Sequence, residues 1–249
     1  MIAIFKRELK AYFSTPVGFL VLAAYYFFLG VYFALVYSAG SPEISMIFMA
    51  MVTIIVFTMP IITMRLMSED RRQKVDQVLL TSPVKLSGIV LGKFFAALAL
   101  FCIGLAPTVI FEMIVASKVT VNFMSFLYPL IGTVLLGGAL IAIGMFISSL
   151  TESAVISAIL SFVVNFLAIF MSTFASMITV PEGSTNLFGK LWGKIVELFV
   201  LILNKCAFVT VFESFGSDIF SIENIIYFLS IIVAFVFLSI RSLEKRRWS

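Results

Sequence analysis

RLMSEDRRQKVDQVLLTSPVKLSGIVLGK, residues 65–93, is a charged interruption between two apolar runs. Met46–Met64 precedes it and Phe94–Ala116 follows it, both almost free of charge. The interruption holds six of the chain's seventeen Lys and Arg and three of its thirteen Asp and Glu. A charged side chain at the bilayer centre costs about 2.5–3.5 kcal/mol on insertion scales. The stretch therefore lies outside the lipid, and the runs on either side cross it. Val75, Val78 and Leu79 recur at offsets of three and four with charges between them, which predicts an amphipathic helix over about 68–80. Ser68 is placed as its N-cap, Glu69 and Asp70 in the first turn where the helix dipole favours acids, and Thr81-Ser82-Pro83 as its end. A plain basic loop is the other reading of the same pattern.

Working outward, 62% of the chain is hydrophobic, 12% is charged and the mean hydropathy is +1.17. That composition describes an all-α, polytopic membrane protein with a single domain over residues 1–249. Six spans are expected, at about 17–37, 46–64, 89–115, 126–149, 154–179 and 224–240. The third carries Glu112 and is expected to break at Pro107; the fourth is rich in glycine, which permits close helix packing in lipid. Residues 1–16 predict an amphipathic elbow on the membrane surface, with Phe5, Leu9 and Tyr12 toward the headgroups and Lys6 and Arg7 mostly elsewhere. Pro16 stands where the chain turns into the bilayer. The N-terminus has no nearby A-x-A pattern and reads as retained sequence.

Between 187 and 222 the apolar run Ile195–Leu203 is too short to span a core of about 30 Å, and lysines crowd both its ends. Re-entrant or interfacial helices are expected there. With six spans both termini share a side with 65–93, giving that side thirteen Lys and Arg against four. The charge rule places that side in the cytoplasm.

The absence of histidine removes His general bases and His-ligated metal sites. Cys102 and Cys206 suggest neither a disulfide framework nor a thiolate cluster. Ser87-Gly-Ile-Val-Leu-Gly92-Lys93 imitates a phosphate loop. It has Ser where the first Gly belongs and Phe94 where a Mg²⁺-binding hydroxyl belongs, so it is read as a chance match. The chain thus has no recognisable nucleotide site, metal site or catalytic residue, and any ATP-driven work needs a partner ATPase. A secondary transporter would need an internal repeat and midplane charges, neither of which is visible.

Three runs carry a resemblance. Thr63-Met-Arg65-Leu-Met-Ser-Glu69-Asp-Arg-Arg72, Val78-Leu-Leu-Thr-Ser-Pro83 and Ile89-Val-Leu-Gly92-Lys93-Phe together resemble the signature of type 2 ABC export permeases. In that family the run reads approximately M-R-x-x-x-E-E-R-x-x-G-T-x-E-x-L-L-T-S-P, followed by V-L-G-K. Here the Gly-Thr is Lys74-Val75, with Asp76 following, so the helix lacks the family's glycine. Phe5-Lys-Arg-Glu8-Leu-Lys-Ala-Tyr-Phe13-x-x-Pro16 resembles the family's elbow. The tail, from Phe212-Glu-Ser-Phe215 to Arg241-Ser-Leu-Glu-x-Arg-Arg-Trp248, is similar to the branch that includes gliding-motility-associated permeases.

The resemblance implies a permease subunit in a bacterial plasma membrane, working as a pair with a second copy or a paralogue. Each subunit would couple to a cytosolic ATPase that holds the ATP and Mg, and an extracytoplasmic accessory protein would fit the same assembly. No nucleic acid is implied. Arg65, Glu69, Asp70, Arg71, Arg72, Lys74 and Asp76 would couple to the ATPase. Glu112, Glu197, Phe215 and Asp218 are candidates for an outer gate. A non-transporting structural subunit of a membrane complex is the competing class.

Overall fold

The computed structural model describes residues 1–38, 44–73, 85–117, 123–178, 207–216 and 221–247, with positions 196, 198, 200 and 201. The described residues contain helices and no strand. In chain order these are α1 (Ile2–Ser14), α2 (Pro16–Ser38), α3 (Ile44–Thr63), α4 (Ser68–Arg72), α5 (Leu86–Ala116), α6 (Phe123–Leu150), α7 (Ala154–Met177), α8 (Phe208–Gly216) and α9 (Ile222–Arg247). Six helical stretches are long and apolar enough to cross a membrane: α2, α3 carried through the turn into α4, α5, α6, α7 and α9. Lys74, Asp76, Glu197, Asp218 and most of 187–222, for which coupling, gating and re-entrant roles are expected, lie outside the described residues.

The fourth span, α6, is the axis of the bundle. It packs on α3, α5, α7, α8 and α9. Its glycines explain why so many helices can reach it. A Cβ on Gly137 would sit 2.1 Å from Phe101 on α5, and one on Gly144 would sit 2.3 Å from the Thr63 hydroxyl on α3. A Cβ on Gly132 would sit 2.8 Å from Phe215 on α8. In lipid there is little hydrophobic drive between helices, so contact of this closeness holds the bundle together. By contrast α2, α7 and α9 are peripheral and expose long apolar faces, among them Phe27, Val155, Ile159 and Val233.

Pro107 does not break the third span. Helix α5 runs unbroken through it from Leu86 to Ala116. A proline withdraws the N–H that would bond the carbonyl four residues earlier. That carbonyl belongs to Ile103, and the Tyr26 hydroxyl on α2 donates to it at 3.2 Å. A side chain from the neighbouring helix thus replaces the missing bond.

Pro16 opens α2 directly after α1, at a position where its fixed φ suits a helix start and its missing N–H is not needed. The elbow α1 packs on α5 as well as α2. Gly92 makes this possible: the Met1 carbonyl lies 3.0 Å and the Ile4 side chain 3.1 Å from where its Cβ would be.

Candidate functional site

The site is built where α1, the turn after α3, and the start of α5 meet. Ile4 and Tyr12 are the buried residues of α1, and Phe5, Glu8 and Leu9 are half-buried beside them. Lys6, Arg7 and Phe13 are exposed. The inward face of the elbow is therefore laid against protein, and Glu8 is carried in with it at the same helical phase as Ile4 and Tyr12. The Tyr12 hydroxyl donates to the Ile62 carbonyl at 2.8 Å. Burial pushes the Tyr12 phenol up, with the Glu8 charge adding to it, so it stays a neutral donor.

Residues 64–67 turn between α3 and α4. Ser68 is not the cap of α4. It is the first helical residue, fully buried, and its hydroxyl donates back to the Met64 carbonyl. The free N–H groups at this end are taken by a residue distant in sequence. Ser148, near the end of α6, accepts from the N–H of Met67 and of Ser68, both at 3.1 Å, and donates to the Met64 carbonyl at 3.1 Å. Arg71 fastens the other side, pairing with Glu152 at 2.5 Å and donating to the Leu150 carbonyl at 3.3 Å. Helix α4 is thereby pinned to the turn between the fourth and fifth spans.

Lys93 lies at the centre. It is a lysine in the second turn of α5, only 1% exposed. Its ammonium meets Asp70 at 2.8 Å and Glu8 at 3.1 Å, and donates to the Leu66 carbonyl. Arg7 closes the set, 2.6 Å from Glu8 and 3.5 Å from Asp70. Two cations and two carboxylates from three separate segments form one neutral cluster. Arg65 and Glu69 pair at 2.7 Å beside it, and Gln73 donates to Glu69 at 3.2 Å. A groove of about 320 Å³ opens here, lined by Arg7, Glu8, Tyr12, Arg65, Glu69 and Asp70 among others.

The structure thus brings Arg7, Tyr12, Arg65, Glu69, Asp70 and Arg71 into one assembly, while Arg72 is exposed at its edge. Glu8 and Lys93 were missed as site residues. The Asp70 carboxylate is engaged inside the chain, by Lys93 and Arg7. Glu69 is partly committed, to Arg65. Of the outer-gate candidates only Glu112 and Phe215 are among the described residues, and they sit on different helices. Glu112 sits on α5, 8% exposed, with Oε2 lacking a partner. Phe215 sits on α8, fully buried against Gly132 and facing Phe228. The described residues hold no group of three or more metal-ligating side chains.

Six apolar helices, bundled about a glycine-lined fourth, with one charged end tied together, define a multi-pass α-helical membrane protein. A family model described as ABC-2 type transporter matches residues 1–182, well over half of the chain. The chain belongs to the ABC-2 type transporter family and is a permease component of an ABC transporter. A search of curated proteins found no match.

Proposed function

We propose that this chain is the permease subunit of an ATP-driven exporter, and that the cluster around Lys93 carries motion from a cytosolic ATPase into the spans. The observation that carries the proposal is the position of Lys93. One buried side chain on the third span holds the elbow through Glu8 and the α4 turn through Asp70. Displacing α4 therefore pulls on α1 and α5 together, and through Ser148 and Arg71 on the junction of α6 and α7.

In this reading the ATPase contacts the segment that follows Arg72, including Lys74 and Asp76, while the Lys93 cluster is the fixed end of the lever. ATP and Mg are held by the partner, and binding shifts the permease between two states. Both termini and the cluster lie in the cytoplasm of a bacterial plasma membrane, which the thirteen-to-four distribution of cations supports. The subunit works as a pair, using the exposed apolar faces of α2 and α7. The gliding-motility branch rests on the tail residues from Phe212 onward, beyond the matched region. The deciding experiment is to express the chain with candidate ATPases, isolate the complex and measure ATP turnover. Association with turnover altered by Lys93→Met supports the reading. Association with turnover indifferent to Lys93→Met, Asp70→Asn and Asp76→Lys favours a structural subunit instead.

A further inference from the structure

The groove beside the Lys93 cluster lies where lipid meets water. Val17, the second residue of the first span, lines it, and so does Gln73, exposed just past α4. Phe19 and Leu20, which follow Val17, are exposed on the outside of the bundle. Ala11 and Tyr12 add apolar surface from the elbow. The groove thus has an apolar wall at the entry to the bilayer and a charged wall on α4. At about 320 Å³ it is at the small end of ligand pockets, which run to about 1,000 Å³.

Its charged wall has donors and acceptors to spare. Arg7 spends Nε and Nη2 on Glu8 and Asp70, and Arg65 spends Nε and Nη2 on Glu69. The Nη1 group of each guanidinium donates to no described residue. Both side chains can be reached from outside, being 43% and 35% exposed. Two unused guanidinium groups lining one groove suit the oxygens of a phosphate. Glu69 is 34% exposed and accepts from Arg65 and Gln73. An ionised carboxylate has about four lone-pair sites, so Glu69 can take a further donor.

The charge balance selects among phosphates. Arg7 and Arg65 line the groove together with Glu8, Glu69 and Asp70, and Lys93 behind the wall brings the total to neutral. A free phosphate would add negative charge beside three carboxylates and be repelled by them. A zwitterion adds none and meets both signs. Lys6 and Lys10, the elbow's other cations, are half-buried or exposed elsewhere on the helix and do not line the groove.

We infer that this groove holds the headgroup of a zwitterionic phospholipid with a primary ammonium, of the phosphoethanolamine type. The phosphate accepts from Nη1 of Arg7 and of Arg65, the ammonium donates to Glu69, and the acyl chains leave past Val17 along α2. The lipid ties the elbow, the first span and α4 to the leaflet at the charged end. This holds whether or not an ATPase binds the chain.

The test is native mass spectrometry of the full chain in detergent, titrated with dioleoyl phosphatidylethanolamine. Arg65→Gln leaves every Lys93 contact in place, since Arg65 pairs with Glu69 alone. It should weaken lipid binding by about tenfold, the loss of one charge-assisted hydrogen bond. Lys6→Gln removes the same charge outside the groove and should change nothing. Equal binding by wild type and both variants, or equal weakening in both variants, overturns the inference. Dioleoyl phosphatidylcholine has the same phosphate, but its ammonium carries no N–H. It should bind several-fold more weakly, and binding as tight as phosphatidylethanolamine overturns the inference. So does displacement of the lipid by inorganic phosphate, which would give the groove to a free anion. Ala11→Leu, which adds bulk to the groove wall without altering charge, serves if Arg65→Gln does not fold: weakened lipid binding supports the inference and unchanged binding overturns it.

Discussion

The Lys93 ammonium lies 2.8 Å from the Asp70 carboxylate, joining the third span to the short helix that follows the second. Taking a lysine and an aspartate out of water is costly, and their attraction repays that cost only with both present. Removing one partner from a buried pair typically costs about 3–5 kcal/mol. Lys93→Met is therefore expected to lower the unfolding free energy by about that much, and Lys93→Met with Asp70→Asn by clearly less. Thermal unfolding of the wild type, each single variant and the double variant in the same lipid checks this. Additive losses would mean that the two residues do not act as a pair.

Gly137 and Phe101 give a test of the axis. An ideal Cβ at 137 would stand 2.1 Å from the Phe101 ring, with no room for it. Overpacking of this kind costs about 1–3 kcal/mol. Gly137→Ala should destabilise the bundle, and Phe101→Leu should restore part of the loss. Gly30→Ala is the control, because its Cβ would meet nothing within 4 Å. Melting temperatures of the wild type, Gly137→Ala, Gly137→Ala with Phe101→Leu, and Gly30→Ala decide the matter.

Much of the bundle was legible because apolar length is a strong signal and charge cannot hide in lipid. The junction was only half legible, and the reason lies in helical phase. Ile4, Glu8 and Tyr12 are spaced by four, and Leu86, Ile89, Val90 and Lys93 fall at the offsets of one helix face. Glu8 and Lys93 are charges at apolar-face positions, a pattern that points to a pair buried between elements. Treating Lys93 as the end of a surface stretch concealed it. Which opposite charge each would meet could not be read from spacing, since Glu8 and Lys93 are 85 residues apart. Pro107 misled for a related reason: the bond it removes is made good by Tyr26, on another helix.

Tyr26 and Pro107 therefore form a testable couple. Tyr26→Phe leaves the Ile103 carbonyl without its donor, and hydrogen bonds between membrane helices are worth about 0.6 kcal/mol on average. Pro107→Ala returns a backbone N–H to that carbonyl. The effect of Tyr26→Phe should be measurable with proline at 107 and vanish with alanine there. A double-mutant cycle by thermal unfolding reads the difference; equal effects in both backgrounds would show that the Tyr26 bond contributes nothing.

Orientation has its own test, resting on the cation distribution. In cells expressing the chain without Cys102 and Cys206, single cysteines at Ser41, Asn122 and Ser184 should react with an impermeant thiol reagent applied from outside. A cysteine at Ser249 should react only after the cells are opened. External labelling at Ser249 would invert the proposed arrangement.

Charge reversal separates the fixed end of the proposed lever from its free end. Asp70→Lys places a third cation against Lys93 and Arg7, leaving Glu8 as the sole acid in a cluster that is neutral in the native chain. Like charges this close and this poorly hydrated repel strongly. Asp70→Lys should therefore lower the yield of folded protein before any partner is present. Asp76→Lys changes none of the four clustered side chains and should leave folding intact. Truncating one side of an interfacial charge pair costs about 2–5 kcal/mol, so Asp76→Lys should weaken ATPase binding by more than tenfold if that residue meets a basic groove on the partner. The two measurements are monodispersity of each variant alone and capture of the ATPase by each. Folded Asp70→Lys with normal capture would remove the Lys93 cluster from the coupling path, and normal capture by Asp76→Lys would move the ATPase contact elsewhere on the chain.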